Sequence, residues 1–304
     1  MRFIATRAIF VLITSAFFSS AVSASAQNIV IGVLEDTPGH YAGEPNYRDV
    51  RAVFRKSGTA WQVFPNDCPD QDCLEKIASA YPGNVTWTIA FDGKNLGQVT
   101  TGAPKEYKWY SSVGQQDIIS TGSVPTVGEK SAQFAGWADV PVYRPLVANS
   151  QPYFTDPDIW KPFSPKQELV RMLQQQFRKW FPKLCRLGGP NSSEMIPFAY
   201  RNEDVKLVKA YGSKTGWVVA RLHLEAVDCK DVEAGFDIDD PWFVIDLGKS
   251  VRYVGAGMWL VDAGDYDNDG KAEILFSIDR YNRGGYELFY DDFKKHVTFE
   301  FSYH

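Results

Sequence analysis

Asp265-Tyr266-Asp267-Asn268-Asp269-Gly270-Lys271-Ala272-Glu273, running on into Ile274-Leu275-Phe276-Ser277-Ile278, is the stretch that decides the fold. Its acids stand at positions 1, 3, 5 and 9 and its glycine at position 6. Alternate side chains of a curling loop point inward, so Asp265, Asp267 and Asp269 can converge, and Gly270 permits the tight turn. Ca²⁺ takes six to eight hard oxygen ligands in irregular geometry. Lys271 is expected to offer its backbone carbonyl with its side chain turned out, and Glu273 to close the shell. Tyr266 and Asn268 should face neighbours or solvent. Four clustered acids with no basic residue inside the cage repel one another unless a cation joins them.

The residues after the loop read as a buried strand. An EF-hand needs a bidentate Glu at position 12 and flanking helices, and position 12 here is Phe276. The loop is therefore expected to join two strands.

Strand-like runs recur elsewhere, separated by Gly, Pro, Asn and Asp. They are Ile29–Leu34, Val50–Phe54, Trp61–Phe64, Thr86–Phe91, Leu96–Thr100, Gln116–Ile119, Val205–Tyr211, Trp217–Leu224, Trp242–Leu247, Val251–Val254, Glu273–Ile278, Tyr286–Tyr290 and Val297–Tyr303. In the last, Val297, Phe299, Phe301 and Tyr303 share one face while Thr298, Glu300 and Ser302 take the other, which is period two. Many short strands imply a mainly all-β chain: a sandwich, barrel or propeller. One amphipathic helix is expected near 164–181. Ser164 can cap it with Gln167 completing a capping box, and Leu169, Leu173, Phe177 and Trp180 form one stripe. Lys166, Arg171, Arg178 and Lys179 should be a solvated face.

Two segments, about 47–120 and 203–278, align in order. Trp87 and Lys94 match Trp242 and Lys249, and Asp49-Val50-Arg51 matches Asp204-Val205-Lys206, at an offset of 155; Trp61 matches Trp217, and Gly114 matches Gly270, at 156. Opposite the three loop aspartates stand Trp109, Ser111 and Val113, so the first copy has no equivalent acids and a single metal site is expected. Residues 121–200, opening with the Pro- and Gly-rich stretch 121–164, read as an insertion.

The acidic loop followed by Ile-Leu-Phe resembles the calcium loop of FG-GAP or VCBS repeats, as in integrin-type β-propellers. That resemblance implies a propeller-like domain over 27–304, irregular, with about five to six blades, in which Glu273 at the ninth position ligates the ion. No Phe-Gly pair precedes the loop, and no adjacent calcium blade is seen.

Arg2 and Arg7, the apolar run 8–18 and Ala24-Ser25-Ala26 have the layout of a secretory signal peptide over 1–26. No later run reaches the length of a membrane span. A periplasmic or secreted chain is therefore expected, with no membrane insertion after cleavage. The full sequence carries 32 basic and 37 acidic residues, and a mildly acidic chain without a basic cluster argues against nucleic acid as a partner. Cys68, Cys73, Cys185 and Cys229 suggest two disulfides in an oxidising compartment. A local Cys68–Cys73 bridge, with Cys185–Cys229 as the second, is favoured among three pairings.

His40, His223, His296 and His304 belong to no nucleophile elbow or zinc motif. Asp237, Asp239 and Asp240 beside Trp242 could serve glycoside chemistry, but an exposed acidic loop is the simpler reading. The expectation is an exported, calcium-binding, non-catalytic binding or structural protein, whose ligand is a protein or a carbohydrate. The alternative is a carbohydrate-active enzyme, glycoside hydrolase-like, on a propeller scaffold.

Overall fold

The computed structural model describes residues 29–39, 44–104, 107–134, 140–152, 155–189, 194–229, 240–246, 250–280 and 282–303. Of the described residues 47% are strand and 14% helix, so they are mainly β, in antiparallel sheets none of which closes into a barrel. The expected leader, His40, His304, Asp237, Asp239 and the Leu247–Lys249 end of one aligned segment lie outside the described residues.

The largest sheet contains β1 (Val30–Thr37), β2 (Tyr47–Ser57), β3 (Ala60–Val63), β4 (Thr86–Phe91), β5 (Lys94–Thr100), β6 (Gln115–Asp117) and β7 (Leu146–Asn149). Its order is β3-β2-β1-β7-β4-β5, with β6 paired to β2. β7 thus lies inside the sheet, every residue buried. The stretch that reads as an irregular insertion supplies an inner strand. A four-residue strand covered on both faces has no alternation to betray it.

The segment between Cys68 and Cys73 reads as a short polar loop, yet it leads into a helix, α1 (Gln71–Ile77), so the described residues hold two α-helices and not one. Asp70 caps α1 by accepting the Cys73 N–H at 2.9 Å, and Leu74 and Ile77 turn inward.

The middle of the chain supplies β8 (Lys161–Pro162), α2 (Gln167–Trp180), β9 (Leu184–Leu187), β10 (Met195–Phe198), β11 (Lys206–Gly212), β12 (Val218–His223), β13 (Val227–Asp228), β14 (Trp242–Ile245) and β15 (Val251–Gly255). They form a five-stranded sheet, β15-β14-β12-β11-β8, and a three-stranded one, β10-β9-β13. α2 starts later than its capping box implies. Phe163 N–H is held by Ala210 O at 2.9 Å and Lys166 is still extended at ψ 154°, so Ser164 lies outside the first turn. Lys166, at the N-cap, makes no side-chain cap bond. Leu173 and Phe177 are buried as expected, whereas Trp180 is half exposed and stacks on Tyr253 with centroids 4.6 Å apart. The basic residues of α2 are exposed.

The chain ends in a four-stranded meander: β16 (Met258–Gly264), β17 (Glu273–Arg280), β18 (Arg283–Tyr290) and β19 (Lys295–Ser302). This meander is the centre of the stack. Leu275, Tyr286, Leu288 and Phe299 share a core with the largest sheet. Ile274, Phe276, Ile278 and Phe289, on the opposite face, share one with Val219, Trp242 and Val244 of the five-stranded sheet. The period-two alternation of β17 thus glues two layers at once. The other face of the five-stranded sheet receives α2 through Leu173 and Phe177.

The aligned segments both form hairpins, β2–β3 with β11–β12 and β4–β5 with β14–β15. Their pairing then diverges: β14 joins β12 directly, whereas β1 and β7 separate β4 from β2. Disulfides join Cys68 to Cys73 and Cys185 to Cys229, with Cα atoms 5.4 and 5.0 Å apart.

Candidate metal centre

β16 and β17 pair in register up to Gly264 opposite Glu273, and the acidic loop spans the gap between them. Its turn is made by two left-handed residues, Asn268 at φ 59° and Gly270 at φ 86°. Gly114, aligned with Gly270, is left-handed too, at φ 83°.

Backbone N–H groups fix the carboxylates. Asp265 Oδ1 accepts from Asp269 N at 3.0 Å and its Oδ2 from Gly270 N at 2.9 Å. Asp267 Oδ1 accepts from Asp269 N at 3.2 Å, and Asp269 Oδ1 from Lys271 N at 2.9 Å. As a result Asp265, Asp267 and Asp269 each bring an oxygen to within 4.8 Å of the others. That hard, anionic, all-oxygen set suits a calcium ion. The loop is also anchored from outside. Asp265 N donates to Thr155 O at 2.7 Å, and Asn149 of β7 donates its side-chain N–H to Tyr266 O at 2.9 Å.

Glu273 is placed differently from the three aspartates. It is not in the converging set; its Oε2 accepts the Tyr266 N–H at 2.8 Å, in a site only 2% exposed. Burial first, then the charge of Asp267 and that of Asp269, push its carboxyl up to about 9, although the Tyr266 N–H and Lys56 oppose this. Burial likewise raises Asp265, the N–H groups of Gly270 and Asp269 pull it down, and the neighbouring aspartates push it up again. The Lys271 side chain turns outward, to Asp291 Oδ1 at 2.9 Å. Tyr266 is fully buried and Asn268 exposed.

One residue alters the sequence argument. The loop's own base, Lys271, turns away from the carboxylates to Asp291, but Lys56 at the end of β2 reaches them and pairs with Asp267 Oδ2. Nothing in the local pattern around Lys56 signals this, because 211 residues separate the partners.

Of the second acidic cluster, Asp240 alone lies among the described residues. Asp240 pairs with Arg221 Nη2 at 2.5 Å and with His223 Nδ1 at 2.6 Å, so its carboxylate is engaged. Asp291 and Asp292 form the turn between β18 and β19, both left-handed. A cleft of about 10 Å³ beside the loop, room for about one water molecule, is lined by Trp160, Trp217, Phe289 and Phe293 with Asp158 and Asp292. No helix among the described residues is long and apolar enough to cross a membrane. Comparisons of the chain with family models, curated proteins and solved structures find no match.

Proposed function

We propose that this chain is an exported, calcium-stabilised, non-catalytic binding or structural protein. The observation that carries this reading is the convergence of Asp265, Asp267 and Asp269 oxygens within 4.8 Å on a loop shaped by its own N–H groups. Asp265, Asp267 and Asp269 are the side-chain ligands, Lys271 contributes its carbonyl, and Glu273 supports the shell from beneath. The ion ties β16 to β17 in the layer that both large cores share, so its binding free energy enters the stability of the whole stack. The two disulfides fit an oxidising, periplasmic or extracellular setting. An FG-GAP- or VCBS-like, propeller-related architecture belongs to this proposal on the strength of the acidic loop alone, which joins two antiparallel strands. Its partner is a protein or a carbohydrate.

Thermal unfolding with and without EGTA tests this reading. The wild type should melt lower in EGTA, and Asp265→Asn should melt low in both. Identical melting of the wild type with calcium and with chelator rejects it.

A further inference from the structure

Lys56 brings a positive charge to the acidic loop from a different sheet. Its ammonium pairs with Asp267 Oδ2, and the pair is enclosed, the side chains being 13% and 2% exposed. The rings of Trp61 and Tyr290 flank the ammonium, with centroids 5.0 and 5.9 Å away, which favours a cation in that position. The second oxygen of Asp267 is already engaged by the Asp269 N–H. One oxygen of this aspartate therefore faces the loop backbone and the other faces Lys56.

We infer that Lys56 is a resident cation of the loop which competes with calcium for Asp267, so that metal binding is coupled to release of Lys56 and lowers the loop's affinity for calcium. This rests on the calcium reading of the loop. A calcium ion lies 2.3–2.6 Å from each ligand oxygen. An ammonium bonded to the same carboxylate then sits roughly 4–5 Å from the ion, and like charges at that spacing in a partly buried site repel strongly. The long lysine stem allows the ammonium to withdraw, whereas the aspartate is fixed by the loop. In the metal-free chain Lys56 offsets part of the acidic charge and ties β2 to the meander. In the loaded chain the ion takes over that role. A built-in competitor suits a site that works where calcium is plentiful, since extracellular modules bind at roughly 10⁻⁴–10⁻³ M.

The test is calorimetric titration of CaCl₂ into the EGTA-stripped, buffer-exchanged full chain, wild type against Lys56→Met. Lys56→Met should bind about tenfold or more tightly, the effect of removing one close like charge. Its melting temperature without calcium should fall below wild type, and its rise on adding calcium should exceed wild type's. Equal or weaker binding by Lys56→Met overturns the inference and leaves the calcium reading standing. Absence of binding by both chains overturns the calcium reading itself, and the inference with it. Should Lys56→Met fail to fold without metal, Lys56→Gln keeps a hydrogen-bond donor without the charge, and its affinity decides by the same comparison.

Discussion

Tyr286 on β18 donates its hydroxyl to Glu35 Oε1 on β1 at 2.7 Å, across 251 residues of sequence. The same carboxylate takes Arg51 Nε at 2.7 Å, Arg51 Nη2 at 3.0 Å and Gln115 Nε2 at 3.2 Å. The Arg51 guanidinium in turn lies 4.1 Å from the centre of the Phe301 ring. Strands β1, β2, β6, β18 and β19 meet at this one charge cluster, which fixes the meander on the largest sheet. Burial alone raises the Glu35 carboxyl, but the charge of Arg51 and the hydrogen bonds from Arg51, Tyr286 and Gln115 leave it below its ordinary value.

Removing one member of a buried ion pair strands the other without compensation. Arg51→Ala should therefore destabilise the chain by about 3–5 kcal/mol in urea unfolding. Tyr286→Phe should cost about 1–3 kcal/mol, because Glu35 keeps its other donors. A double variant, Glu35→Leu with Arg51→Met, should cost less than Arg51→Ala alone. A larger loss in the double variant contradicts this account of the cluster.

Asp262 on β16 gives the pH dependence a different sign. Burial pushes its carboxyl up to about 7 despite the Asp92 N–H at 3.2 Å and the nearby Arg144. A raised acid favours the folded state fully only below its unfolded value, near 3.8, and that contribution is lost as pH rises toward 7. Asp262→Asn does not titrate. Its stability relative to wild type should improve by a few kcal/mol between about pH 4 and pH 8, read from urea unfolding in EGTA at both pH values. A constant difference across that range argues against the shift.

The disulfides should contribute unequally, since loop-closure entropy grows with the enclosed length. Their sequence separations are 5 for Cys68–Cys73 and 44 for Cys185–Cys229. Replacing both cysteines by Ala should cost about 2 kcal/mol for the first pair and about 4 kcal/mol for the second. Equal costs indicate that native contacts, not loop entropy, dominate.

Most strands could be read from sequence because period two survives wherever one face is solvated or the two faces meet different cores. Val297, Phe299 and Phe301 of β19 show this. β7 escaped notice because Leu146–Asn149 is covered on both sides. β16 escaped it because its register shifts between Leu260 and Asp262, and a buried Asp breaks the apolar run. The capping-box pattern at Ser164 was overridden by β8 pairing, and α1 was concealed behind a cysteine spacing that suggests a loop. The three loop aspartates were legible because their spacing alone brings them together. Lys56 was not, since only the docking of the largest sheet against the meander places it there.

The most direct measurement is equilibrium dialysis of the metal-stripped full chain against labelled calcium, with Asp265→Asn/Asp269→Asn run alongside. One calcium ion per chain bound by the wild type and none by the double variant is the outcome expected here. Failure of the wild type to retain calcium at millimolar concentration, or equal retention by both chains, contradicts the assignment of the ion to this loop.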